Sequence, residues 1–198
     1  MNLSKDDFKK VIDDLCLLDD IKLSDIPDID LYMDQLTKFF DDKLGHLKRD
    51  ENDKILTKTM INNYTKSGIL MPPINKKYSK RHLILLILIY NLKQILSISD
   101  IHALLKPILN NISTAEDDII PIEEIYSAII DIKHKELENY CDVFNDKFKM
   151  ILDKTKDLDT DKKNLAELFL TVITLVAQAD AQKRLAEKII DEYFKSIK

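Results

Sequence analysis

Glycine is almost missing from this chain: two in 198 residues, alongside five prolines. So few turn-forming residues exclude a sandwich or barrel of many short strands. With Leu, Ile, Lys and Asp abundant, they point to an all-α protein of long helices. At 45% apolar and 33% charged the chain is not wholly disordered. Cysteine is as sparse, Cys16 and Cys141 lying far apart. Met1-Asn-Leu-Ser runs into acidic residues where a secretory leader would show a basic start and an apolar run. The expectation is a cytoplasmic protein with reduced thiols. The densest apolar stretch, Leu83 to Leu96, is interrupted by Asn91, Lys93 and Gln94. It falls short of the ~18–20 residues of a membrane span, so it is expected to be a buried core helix and no membrane partner is expected. Two glycines leave no room for a phosphate nest, and no P-loop, nucleophile elbow or paired catalytic carboxylates occur. The chain is expected not to be an enzyme and to need no cofactor.

A second absence is local. Between Lys54 and Ser99 there are eight Lys/Arg and no Asp or Glu, although the whole chain carries a formal charge of −5. Residues 1–53 sum to −7 (eight basic, fifteen acidic) and 100–198 to −6 (fourteen basic, twenty acidic), so the 46 residues between them carry +8. At the chain-wide frequency, 35 acids in 198, that window would hold roughly eight carboxylates. A stretch kept free of negative charge suits a phosphate backbone.

The pattern predicts an N-terminal helix over 1–24, capped by Ser4 with Asp7 and carrying Phe8, Val11, Ile12 and Leu15. A core domain follows over 25–109, and a long helical pair over 115–198. In the core domain Asp30 is placed to cap a helix from Leu31 that Gly45 ends, and 46–53 reads as a loop. Thr57 caps a short helix through Tyr64 that Gly68 stops. Met71-Pro72-Pro73 must be extended. Ser79 caps a helix reaching Leu96, and Ser97 with Asp100 caps another that ends near Leu105, before Pro107. Polar residues from Asn110 to Pro121 mark the domain boundary. Beyond it an apolar stripe from Ile122 to Ile151 predicts one helix of about thirty residues, or about 45 Å. After a turn at Leu158 to Asp161, Leu165 to Ala177 is apolar on most sides. A second chain would cover Leu165, Leu168, Phe169, Val172, Leu175 and Val176, which predicts a homodimer.

Within the acid-free window the residue types suit double-stranded DNA. Asn62 and Asn63 can pair with adenine, while Thr57, Lys58, Thr59 and Lys66 can reach guanine or phosphate. Lys76, Lys77, Tyr78, Lys80 and Arg81 follow as backbone contacts. His134, Glu138 and Cys141, at i, i+4 and i+7, would share one helix face, but without a metal-binding motif no metal site is expected. His82 is expected at the surface, at a helix start.

Tyr64, Gly68-Ile69-Leu70, Pro72-Pro73, Lys76-Lys77-Tyr78-Ser79 and Ser97-Ile98-Ser99-Asp100-Ile101 together resemble MerR-type winged helix-turn-helix regulators. The resemblance covers 54–105, with Leu31 to Leu44 as the first helix of the motif. Including Asp30-Leu-Tyr-Met-Asp-Gln-Leu36 and Leu56 to Tyr64, the chain is similar to the uncharacterised YkrK-like bacterial family, a domain of unknown function. The resemblance implies a MerR-like winged helix core followed by a long C-terminal helical hairpin, and a transcriptional regulator working as a homodimer with an effector left open. The chain departs from that family in the loop 45–53, longer than the usual tight turn, and in its shorter wing. The alternative function is a protein-interaction adaptor that keeps the fold without DNA binding. Asp30, Asp34, Asp41 and Asp42 lying across the strip of Lys58, Lys66, Lys76 and Lys80 would favour it, and a continuous positive strip would favour DNA.

Overall fold

The computed structural model describes residues 5–15, 17–111 and 121–196. The expected Ser4 cap, Cys16 and most of the expected boundary segment lie outside them. The fold is all-α: α1 (Lys5–Asp14), α2 (Met33–Leu44), α3 (Lys58–Lys66), α4 (Lys80–Leu92), α5 (Ile98–Asn111), α6 (Ile122–Leu137), α7 (Tyr140–Thr155) and α8 (Thr160–Ile189). Two short strands, β1 (Leu31–Tyr32) and β2 (Lys77–Tyr78), pair antiparallel with Leu31 opposite Tyr78 and Tyr32 opposite Lys77.

The chain divides into two compact units. One comprises 21–130 with 185–198, and the other 1–20 with 131–184. The division differs from the expected 25–109 and 115–198. Ile122 and Tyr126 of α6 belong to the core of the first unit, where the Tyr126 hydroxyl donates to the Ile21 carbonyl at 2.5 Å.

In the first unit α4 is the centre. His82 through Ile89 are all buried, because a helix apolar on every side must be surrounded. Around it pack Leu36, Phe40 and Leu44 of α2, Ile61 and Tyr64 of α3, and Ile101 and Leu105 of α5. Each fully buried aliphatic side chain is worth about 1.5–3 kcal/mol relative to exposure. Local signals set the helix starts. Thr57 Oγ1 accepts the Met60 amide at 3.1 Å. Ser97 Oγ accepts the Asp100 amide at 3.2 Å and donates to the Asp100 carboxylate at 2.6 Å. Gly68, at φ +75°, ends the turn after α3 in a conformation that suits glycine.

Three expected boundaries move, while Gly45 ends α2 as expected. Leu31 and Tyr32 form a strand, so α2 begins at Met33, where the Tyr32 amide donates to the Gln35 side chain at 2.9 Å in place of an Asp30 cap. Gly45 ends α2 in a right-handed conformation that leads into a 3₁₀ turn over Gly45–Leu47. The Ser79-capped helix stops at Leu92. Pro107 sits inside α5, which continues to Asn111. A proline there costs about 3 kcal/mol, offset by the packing of Leu105, Ile108 and Leu109 on both sides of it.

The second unit is built on phenylalanine. Phe8 of α1 meets Phe144 and Phe148 of α7 with ring centroids 4.9 and 4.7 Å apart. Val11 and Leu15, expected on the packed face of α1, are exposed. The long stripe from Ile122 to Ile151 is two helices, broken at Glu138 and Asn139. Asn139 has φ −103° and ψ 13°, as suits a side chain that competes with helical hydrogen bonding. His134 and Cys141 therefore stand on different helices. His134 Nε2 lies 3.2 Å from the Asp20 carboxylate, whose other oxygen takes Lys133 at 2.7 Å. α7 and α8 form a hairpin. The Thr155 hydroxyl donates to Glu167 at 3.1 Å and Lys147 to Gln178 at 2.8 Å. Among the described residues the one helix long and apolar enough to cross a membrane is α8 with its continuation, Lys162–Phe194.

After Arg184 the chain belongs to the first unit again. A π-helical turn, Ile190–Phe194, buries Ile190 against α5, and Lys195 Nζ lies 3.0 Å from Asp100 and 2.6 Å from Asp191. The Ser97 hydroxyl first, and Lys195 second, hold the Asp100 carboxyl below its usual range.

Candidate nucleic-acid interface

α3 has two faces. Ile61 and Tyr64 are buried and Met60 is half-buried, anchoring the helix to the core. Lys58, Thr59, Asn62, Asn63 and Lys66 are all exposed. Their spacing, i, i+1, i+4, i+5 and i+8, puts them on one side of the helix. Thr57 is turned inward by its capping hydrogen bond, so its contribution is to fix the start of the helix.

The segment after α3 is extended through Pro73 and then reverses in a tight hairpin. Ile74 and Lys77 exchange both main-chain hydrogen bonds, at 2.9 and 3.1 Å, around Asn75 and Lys76, which have φ of +51° and +65°. Two positive φ values make the mirror-image turn that matches strand twist. Lys76 is exposed at the tip. Lys77 lies in β2, its ammonium 5.2 Å from the centre of the Tyr32 ring. Through β2 and β1 this hairpin is tied to the start of α2.

Three expected contacts are placed differently. Tyr78 is 3% exposed and packs edge-on against His82, with burial pushing its hydroxyl above the usual tyrosine range. It belongs to the core and offers nothing to a phosphate. Lys80 Nζ is held at 2.6 Å by Asp28. Arg81 lies 4.0 Å from Glu123. Lys58 is also paired, with Asp34. The acid-free window thus receives carboxylates from before and after it in the sequence. Lys66 and Lys76 have no ion pair among the described residues.

His82 sits beneath the hairpin and is buried, not at the surface. The Ser79 amide can only donate and lies 3.1 Å from Nδ1, whereas the Pro72 carbonyl can only accept and lies 3.3 Å from Nε2. The ring is therefore neutral with its proton on Nε2, clamping both ends of the 72–79 excursion. Burial lowers its pKa, opposed by the Pro72 hydrogen bond and the charge of Asp30. No residue pattern marks His82 as buried. Only its place at the third position of a capped helix could have signalled a cap partner.

On α8, Leu165, Leu168, Phe169, Val172 and Val176 are exposed, as is Ile173. Leu175 is not part of this face, since it packs with Thr171 against Phe144, Phe148 and Ile151 of α7. Among the described residues no group of three or more His, Cys, Asp or Glu is arranged to hold a metal ion, and Cys141 is a free thiol.

An all-α domain carrying a two-strand ribbon and a basic, carboxamide-bearing helix face is the class that fold and surface define. The chain belongs to the DUF1836 family, described as a domain of unknown function, whose family model matches residues 21–129. The match coincides with the main segment of the first unit. No curated protein and no solved structure matches the chain.

Proposed function

We propose that the chain is a DNA-binding transcriptional regulator of the winged-helix type, MerR-like in architecture and working as a homodimer. The observation that carries this reading is the α3 face, with Asn62 and Asn63 flanked by Thr59, Lys58 and Lys66, all exposed on a helix whose other side is fixed in the core. In a major groove Asn62 pairs with an adenine edge and Lys66 meets phosphate. Lys76 at the hairpin tip and Lys77 beside it contact the flanking backbone. The order strand, helix, helix, hairpin, helix, with the hairpin returning to pair with the first strand, supports the MerR-like architecture. Selection of bound sequences from random duplex DNA by the purified protein, at stated salt, is the test. Enrichment of a motif supports the reading, and absence of salt-sensitive binding rejects it.

A second reading has its own observation. Asp34 on Lys58 and Asp28 on Lys80 neutralise two cations of the strip, which favours an adaptor that keeps the fold and binds protein instead. Both are exposed ion pairs, worth about 0–1 kcal/mol each, so a competing phosphate can displace them. For that reason DNA remains the first reading.

A further inference from the structure

A cavity of about 500 Å³ opens between the loop after α2 and the C-terminal end of α4, and no residue of α3 lines it. Its walls carry four cations, Lys48, Arg49, Lys54 and Lys93, and a single carboxylate, Asp53. That carboxylate is used locally, accepting the Asp50 amide at 3.1 Å. Lys48 has a partner, Asp41, at 3.7 Å. Arg49, Lys54 and Lys93 have no ion pair among the described residues. Lys93 is the unusual one. Its side chain is half-buried, its ammonium donates to the Ile55 carbonyl at 3.1 Å, and it lies 5.0 Å from the centre of the Tyr90 ring. Burial lowers its pKa, the direction expected of a cation that has lost water without gaining a counter-charge. A neighbouring cavity across the same loop balances Lys48 and Lys54 with Asp41, Glu51 and Asp53 and has no such excess.

We propose that this cavity binds a small-molecule polyanion, a phosphate ester or polycarboxylate, gripped by Lys93, Arg49 and Lys54 and resting against Tyr90. The volume fits a ligand of metabolite size. An anion supplies the counter-charge that Lys93 lacks, in a site where partial burial strengthens the interaction. The guanidinium of Arg49 offers the paired donors that phosphate and carboxylate both accept. The site is independent of DNA binding, because it uses no residue of the α3 face or the hairpin.

Calorimetric titration of the full chain at low salt with inorganic pyrophosphate, and separately with citrate, tests this. Saturable binding of one anion per chain is expected, and the stronger of the two probes identifies the class. Lys93→Met, which keeps the apolar stem of the side chain and removes the ammonium, should weaken binding by about tenfold or more. The control Lys76→Gln, on the hairpin, should leave it unchanged. If Lys93→Met does not fold by circular dichroism, the exposed pair Arg49→Gln with Lys54→Gln carries the same expectation. No heat with either anion at millimolar concentration overturns the proposal. So does an equal loss from Lys76→Gln, which would mark diffuse surface attraction. Duplex DNA affinity falling in Lys93→Met as far as pyrophosphate affinity would give the cavity to a nucleic-acid backbone and also overturn it.

Discussion

His82 concentrates several constraints in one side chain. Its ring closes hydrogen bonds to Ser79 and Pro72 and touches Tyr78, so the neutral form holds the base of the hairpin together. Because burial lowers its pKa in the folded protein, the unfolded chain takes up a proton near pH ~6.5 while the folded chain resists. Stability from this group is full above that pH and is lost as pH falls toward the folded value, at up to about 1.4 kcal/mol per pH unit. Urea unfolding of wild type and His82→Gln, compared at several pH values between about 7 and about 5, should show the wild type losing stability faster on acidification. Parallel curves would remove His82 as the cause. At the same scale, the DNA reading proposed above separates base recognition by Asn62 on α3 from backbone contact by Lys66 and by Lys76 of the hairpin. Asn62→Ala should cost ~1–3 kcal/mol on a selected DNA site, with little change on random duplex or in salt dependence. Lys66→Ala with Lys76→Ala should weaken all duplexes alike and flatten the slope of log K against log salt by ~0.9 per lost contact. Equal losses on selected and random DNA for Asn62→Ala would take that residue out of the specificity set.

Elements show why some of this was legible and some was not. Caps are local, so Thr57, Ser79 and Ser97 could be read from the chain, and each starts a helix where expected. Ser97→Ala should therefore cost about 1 kcal/mol in thermal or urea unfolding. A loss below a few tenths would mean that Lys195, which also reaches Asp100, carries the helix start instead. Strand β1 was invisible because its reason lies far along the chain: Leu31 is extended in order to pair with Tyr78. The same distance hid the burial of Tyr78 and His82 and the carboxylates of Asp28, Asp34 and Glu123 that return to the basic window. Net charge along a sequence says where cations are, not which of them remain unpaired. Helix α3 was legible for the opposite reason, since a 3.6-residue period is enough to tell Ile61 and Tyr64 from Asn62 and Lys66. The break at Asn139 defeated the same logic, because apolar spacing continues in phase through a two-residue interruption that a carboxamide favours.

At the scale of the whole molecule the outstanding surface is the outer side of α8. Leu165, Phe169, Val172 and Val176 recur at i, i+4, i+7 and i+11, and all are at least half exposed, with Phe169 at 63% and Leu165 at 71%. A continuous apolar stripe of that kind needs a cover. A lipid bilayer is the competing cover, since α8 has the length and apolarity to span one. Its partner in the hairpin argues against that. α7 carries Asp142, Asp146, Lys147, Lys149, Asp153 and Lys154, and Lys147 and Thr155 bind α8 directly through Gln178 and Glu167. Inserting α8 would either drag those charges into hydrocarbon or strip the hairpin apart, at several kcal/mol for each exposed polar group. In the homodimer proposed above, a second copy of the chain would cover the stripe without that cost, because an antiparallel or parallel pairing of two α8 helices is self-complementary about a twofold axis. Phe169→Glu with Val172→Glu should then convert a dimer to a monomer in light scattering at micromolar concentration. Both residues face outward, so the helical circular dichroism should be unchanged. In the DNA reading the same pair should also weaken binding to a two-half-site operator far more than to a single half-site, since the dimer supplies the effective concentration of the second contact. Unchanged mass, or co-flotation of the intact protein with neutral phosphatidylcholine vesicles, would overturn the assignment of this face to a second copy.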